Sequence, residues 1–111
     1  MPSKDFNRVK IELDKLVNES WDIRRSKPND SFEIALKVRS ISKEIFSDYY
    51  LALSYRNSGA ALYILSQYSE ALTDLLQAKS LFEKIENKQG LTDVIRNIGN
   101  IYNSLNQTNE A

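Results

Sequence analysis

The sequence predicts an all-α protein, an α-solenoid built from antiparallel helix pairs, on three observations. Apolar residues recur at helical spacing along all 111 residues. Three Gly and two Pro leave little material for the hairpin turns of a strand-rich fold. Most telling, the chain nearly repeats itself forty residues on. Arg56-Asn57-Ser58-Gly59 begins a stretch that returns at Arg96-Asn97-Ile98-Gly99, with Leu65/Leu105, Gln67/Gln107, Glu70/Glu110 and Ala71/Ala111 also identical. A fixed period of this size marks a supersecondary unit that cannot bury its apolar face alone and stacks on copies of itself.

The elements follow in order. Phe6, Val9, Leu13, Leu16 and Val17 begin a long first helix, which Pro28 ends because it cannot sit in a helix interior. Asp30 followed by Glu33 reads as a capping box for a second helix, striped by Ile34, Ala35, Val38, Ile41 and Ile45. Ser47 caps a third, from Asp48 to about Leu65. Ser66 or Ser69 opens a fourth, with Ala71, Leu75, Ala78, Phe82 and Ile85 on one face. Asn87-Lys88-Gln89-Gly90 reads as a turn, and a fifth helix carries Leu91, Val94, Ile95, Ile98, Tyr102 and Leu105. The same offset relates Leu36/Leu76, Ser40/Ser80, Ile45/Ile85 and Leu51/Leu91. The expected domain is therefore a single array over 1–111: repeats at about 11–50 and 51–90, and the first helix of a third at 91–111. A sixth helix is expected to start at Glu110-Ala111, which suggests a fragment of a longer protein.

These residues resemble the tetratricopeptide repeat family, whose pattern is W-x2-L-G-x2-Y followed by A-x3-F and a further Ala. The third repeat matches through Ile95, Ile98, Gly99, Tyr102 and Ala111, the second through Tyr55, Gly59, Leu62, Ala71, Leu75 and Ala78. The period is forty rather than thirty-four, and the Pro that usually closes a repeat is missing. The first repeat is degenerate, with Glu19 or Ser20 in place of Gly and Ser31 in place of Ala. The resemblance implies that Gly59, Ala71, Ala78, Gly99 and Tyr102 pack the repeats. Gly in a helix interior costs about 1 kcal/mol relative to Ala, so Gly59 and Gly99 each call for a close helix approach. Longer repeats with the wording Asn97-Ile98-Gly99-Asn100-Ile101-Tyr102 resemble those of bacterial signalling proteins, where they stand ahead of nucleotide cyclase, GGDEF or histidine kinase domains.

The side-chain inventory argues against catalysis. Without His or Cys the chain lacks the commonest general base, most metal-site spacings and any thiol nucleophile. Gly59, Gly90 and Gly99 are isolated, so no phosphate-cradling loop exists. No enzyme activity, cofactor or metal is expected. Fifteen basic and fifteen acidic residues cancel, against the net positive footprint of a nucleic-acid binder. Arg24-Arg25-Ser26-Lys27 reads as a solvated helix end. No run has the length of a membrane span or a signal-peptide core, and a cytoplasmic location is expected.

The expected function is binding, by a protein or peptide partner. The resemblance implies that the first helix of each pair lines a groove. Its candidate lining is Leu53, Arg56, Asn57, Ala60, Tyr63 and Ile64, then Asp93, Arg96, Asn97, Asn100, Asn103 and Ser104. Two readings stand for the Arg56/Arg96 and Asn57/Asn97 ladder: it holds a peptide carboxylate and backbone, or the arginines pair with acids such as Asp93. Tyr63 with Ile64 forms either a pocket or helix packing, and Trp21 either packs at the rim or stands out as an anchor. The clamp of chaperone-binding family members is not expected. Of its positions here, Leu16, Ser20, Asn57, Asp93 and Asn97, only Asn57 fits. The alternative to groove binding is a spacer that dimerises through Ile98, Tyr102 and Leu105 on the fifth helix.

Overall fold

A computed structural model describes residues 4–110, with side chains described for residues 6–107. It contains five helices: α1 Lys4–Asp22, α2 Pro28–Glu44, α3 Asp48–Ile64, α4 Tyr68–Lys84 and α5 Lys88–Glu110. No strand occurs among the described residues. Each helix packs on the next in sequence. Helix α3 also lies close to both α1 and α5, whereas the backbones of α2 and α4 stay apart. That asymmetry makes α1, α3 and α5 the inner layer of a curved array and α2 and α4 the outer one.

The forty-residue period resolves into two alternating units of twenty. Helices α2, α3 and α4 are each 17 residues long. Each of them ends in the same turn, whose middle residue has positive φ: Phe46 at 55°, Ser66 at 61° and Glu86 at 56°. In the first turn the Ser47 N–H donates to the Ser42 carbonyl at 2.9 Å and Phe46 N–H to Lys43 at 3.3 Å, and the other two turns repeat this pair of bonds. This is a Schellman ending, which satisfies carbonyls that the helix end would otherwise leave unpaired. What distinguishes the two units is the cap at the start. Ser47 accepts from Tyr50 N–H at 3.2 Å to open α3, and Asn87 accepts from Gly90 N–H at 2.8 Å to open α5. Helices α2 and α4 follow Lys27 and Gln67, which make no side-chain cap.

Several expected boundaries shift for local reasons. Pro28 does not end α1, which closes at Asp22; it is the first residue of α2, where its missing N–H costs nothing. Asp30 lies inside the first turn of α2 rather than capping it. Neither Ser66 nor Ser69 caps α4, because the Schellman bond places Gln67 at that position. The segment 87–90 contains the start of α5, and Gly90 is buried in it with the Phe82 ring packed where a Cβ would stand.

The core follows the apolar stripe of the sequence except in α5, where Ile101 is buried and the expected Ile95 and Tyr102 are exposed. Leu13, Val38, Leu75, Phe82, Val94 and Ile101 are fully buried, with Leu16, Val17, Leu53 and Leu62 around them. At the α3–α4 crossing Gly59 is closed over by Leu75, whose Cγ would lie 2.7 Å from an added Cβ, and by the Ala71 carbonyl at 3.3 Å. Ala71 and Ala78 are buried as expected of close-packed positions. In the first repeat the crossing is made by Ser20 and Ser31, which settles the register on Ser20 rather than Glu19. Ser20 Oγ donates to the Ser31 carbonyl at 2.8 Å, and Ser31 Oγ to the Ser20 carbonyl at 2.6 Å. Gly99 and Tyr102 do not pack a crossing: nothing lies within 4 Å of a Cβ on Gly99, and Tyr102 is 51% exposed. The face of α3 that holds Gly59 is covered by α4, and no described helix covers the corresponding face of α5.

Candidate functional site

The inner layer is stitched by polar side chains that reach from one odd helix to the next. Tyr50 OH on α3 donates to Asp14 Oδ1 on α1 at 2.6 Å. One turn of the array deeper, the Asn57 amide donates to the Val17 carbonyl at 3.0 Å. On the other side of α3, Arg56 Nη1 donates to Asp93 Oδ2 on α5 at 3.5 Å, and the hydroxyls of Tyr63 and Ser104 meet at 3.3 Å. These partners lie 36 to 41 residues apart. They therefore join equivalent helices of successive repeats.

This stitching changes the place of the expected groove residues. Leu53, Asn57 and Ala60 are buried between α3 and its neighbours, so they line no open surface. Asn57 is fully committed, since its Oδ1 also accepts from Arg56 Nε at 3.0 Å. Tyr63 and Asn97 are half-buried, while Ile64, Arg96, Asn100 and Asn103 are exposed. Arg56 and Arg96 do not form a ladder. The Arg56 side chain is only 12% exposed and paired with Asp93, whereas Arg96 has no ion-pair partner among the described residues. The pairing reading thus describes Arg56 and not Arg96.

A cluster that the repeat pattern did not reveal lies at the C-terminal end of α1. The Arg24 and Arg56 guanidinium carbons stand 3.7 and 4.0 Å from the Trp21 ring centroid, within the range of cation–π attraction. Arg24 Nη1 also donates to the Trp21 carbonyl at 2.8 Å. Trp21 is half-buried, with these two arginines stacked on its ring. Arg25, Ser26 and Lys27 are solvated as expected, but Arg24 is not. Burial lowers the Arg56 guanidinium from its usual range; Asp93 and Tyr49 oppose that shift, and the charge of Arg24 adds to it. Burial likewise lowers Arg24, with Arg25 adding to the effect. A row Arg24–Trp21–Arg56–Asp93 therefore crosses all three inner helices. The sequence points to Trp21 and to a pairing of Arg56 with Asp93 separately, and the fold brings them into one row.

A second polar cluster ties the outer side. Arg39 on α2 donates from Nη2 to Ser58 Oγ at 2.6 Å and stacks on Tyr55 at 3.9 Å. Ser58 Oγ in turn donates to Asp74 Oδ2 on α4 at 2.7 Å, and Arg39 and Asp74 stand 3.9 Å apart. No buried side-chain polar atom of this network lacks a hydrogen-bond partner, so it reads as a structural brace.

No grouping of metal-ligating side chains occurs among the described residues, and no described helix is long and apolar enough to cross a membrane. No protein-family profile, curated protein or solved structure matches the chain. Function must therefore be argued from the surface itself.

Proposed function

We propose that this chain is a protein–protein interaction module that holds a peptide segment of a partner along its inner face. The observation that carries the reading is the set of polar side chains that the inner layer leaves open. Arg96, Asn100 and Asn103 on α5 are exposed, and the same layer carries Trp21 and Arg24, which are half-buried. Exposed amides and guanidiniums along a curved helical layer suit a peptide backbone and its polar side chains. The resemblance to tetratricopeptide repeats supports the same reading. It also supports a place for the module as the regulatory or docking segment of a cytoplasmic bacterial signalling protein.

The test is a selection of random peptides on the immobilised chain, followed by titration calorimetry on the enriched sequences. An Arg96→Glu, Asn100→Ala variant should weaken the selected ligands by about tenfold or more, as expected when charge-assisted bonds are lost. Lys79→Glu on the outer layer should leave them unchanged. No enriched ligand, or the opposite ranking of variants, would overturn the proposal.

One observation favours a second reading, a spacer that self-associates. On α5, Ile95 and Tyr102 are each 51% exposed, and Leu76 on α4 is 49% exposed. Of the residues expected to mediate this contact, Ile98 and Leu105 are already half-buried on the core, so Tyr102 and Ile95 would carry it. A strict monomer by light scattering at high concentration removes this reading.

A further inference from the structure

Two arginines share the Trp21 ring, and only Arg56 is ion-paired among the described residues. They come from different elements, and the repulsion between them is felt at Arg56. Asp93 sits on the α5 side of Arg56; the charge of Asp22 acts on Arg24, but no carboxylate is hydrogen-bonded to Arg24 among the described residues. Stacking uses the flat faces of the guanidiniums and leaves their in-plane donors available. Arg56 commits Nε and Nη1 to Asn57 and Asp93. Its Nη2 has no partner among the described residues, and Arg24 commits only Nη1.

We propose that Arg24, Arg56 and Trp21 form an anion seat that takes a side-chain or terminal carboxylate of the bound peptide. The proposal rests on the inner-face binding reading and names the chemistry of its ligand. A guanidinium matches the bidentate geometry of a carboxylate, and a carboxylate bound between the two cations relieves their repulsion.

A peptide, rather than a free ion, is favoured by what continues along α3. Tyr49 lies seven residues before Arg56, two turns back on the same helix face and roughly 10 Å away. It is 44% exposed and lines a cavity of about 220 Å³ with Phe6, Lys10, Ile45, Ser47 and Tyr50. An extended segment covers that distance in about three residues. The fitting ligand therefore carries an apolar side chain about three positions from its acid.

Trp21 is the only tryptophan in the chain, so its fluorescence reports on the seat without a label. The intact chain would be titrated with oligoglutamate, with oligoglutamine of equal length and with inorganic phosphate. Oligoglutamate should change the Trp21 emission saturably, and raising the salt concentration should weaken the effect. Arg24→Gln should weaken it by about tenfold, the loss of one charged hydrogen bond, with circular dichroism confirming an unchanged fold. Arg24→Lys, which keeps the charge and loses the planar fork, should fall between the two. An equal response to oligoglutamine, or an unchanged response in Arg24→Gln, overturns the seat while leaving peptide binding in place. Phosphate binding as tightly as the peptide overturns the assignment to a peptide carboxylate. If neither these peptides nor any selected sequence binds, the seat and the binding module fall together.

Discussion

At the scale of single residues, the two glycines of the repeat show how identical positions acquire different roles from their surroundings. Gly59 is buried beneath Leu75 and the Ala71 carbonyl, while Gly99 stands in an exposed stretch of α5 with open space above it. Both pay the same helix penalty of about 1 kcal/mol relative to Ala. Gly99→Ala should recover that amount and stabilise the chain by roughly 0.5–1 kcal/mol. Gly59→Ala should destabilise it, because the overpacking cost of about 1–3 kcal/mol exceeds the helical gain. Urea denaturation of the two variants beside the parent would decide this. Equal shifts of the same sign would mean that the α3–α4 crossing tolerates a methyl group. The sequence showed that both positions were glycine, but not which of them was covered. Coverage depends on the neighbouring helix, and no local pattern records it.

At the scale of the element, the helical periodicity was legible because an amphipathic stripe is written directly in residue spacing. Leu13, Val38, Leu75 and Val94 all fell where the stripe placed them. The turns were less legible, because no Gly or Asn marks their left-handed residue. That place is taken instead by Phe46, Ser66 and Glu86. The positions of Pro28 and Asp30 were misread for a related reason. Both are good signals of a helix start, and only the structure shows which residue occupies which place in the first turn. The site was least legible of all, since Arg39 and Asp74 find their partners, and Arg56 reaches Trp21, across helices rather than along them. Phe46 makes the clearest test at this scale. It holds φ at 55° while 92% exposed. A non-glycine residue there carries a conformational cost of about 1–2 kcal/mol, and its ring recovers little by burial. Phe46→Gly should raise stability by roughly 0.5–1 kcal/mol after allowing for the greater freedom of glycine in the unfolded chain. Ser66→Gly should act in the same direction. A loss of stability in Phe46→Gly would show that the ring makes a contact that outweighs the backbone strain.

At the scale of the whole molecule, successive repeats are joined along the inner layer by a few long-range polar bonds, so the array should respond to the titration of one of them. Tyr50 is the group to watch. Its phenol is pushed well above the usual value of 10.0 by burial first, and then by its hydrogen bond to Asp14 and the nearby charge. A raised tyrosine pKa means that the folded state favours the protonated phenol. Its contribution to stability is therefore fully present below about pH 10 and is lost as the pH rises beyond that point. Ionisation would also set a phenolate against the Asp14 carboxylate at hydrogen-bond distance. The parent chain should accordingly hold its thermal stability up to about pH 10 and lose it as the pH rises from there to roughly pH 11. Tyr50→Phe should start lower by about 1 kcal/mol at neutral pH, the usual worth of one such bond, and then fall less steeply across the same range. Melting curves followed by circular dichroism at both ends of that range separate the two slopes. Parallel slopes would place the alkaline sensitivity outside the Tyr50–Asp14 bond. A shallower slope in Tyr50→Phe would show that the α1–α3 contact is a coupled part of the fold, and that the first repeat is held to the second by this bond as well as by apolar packing.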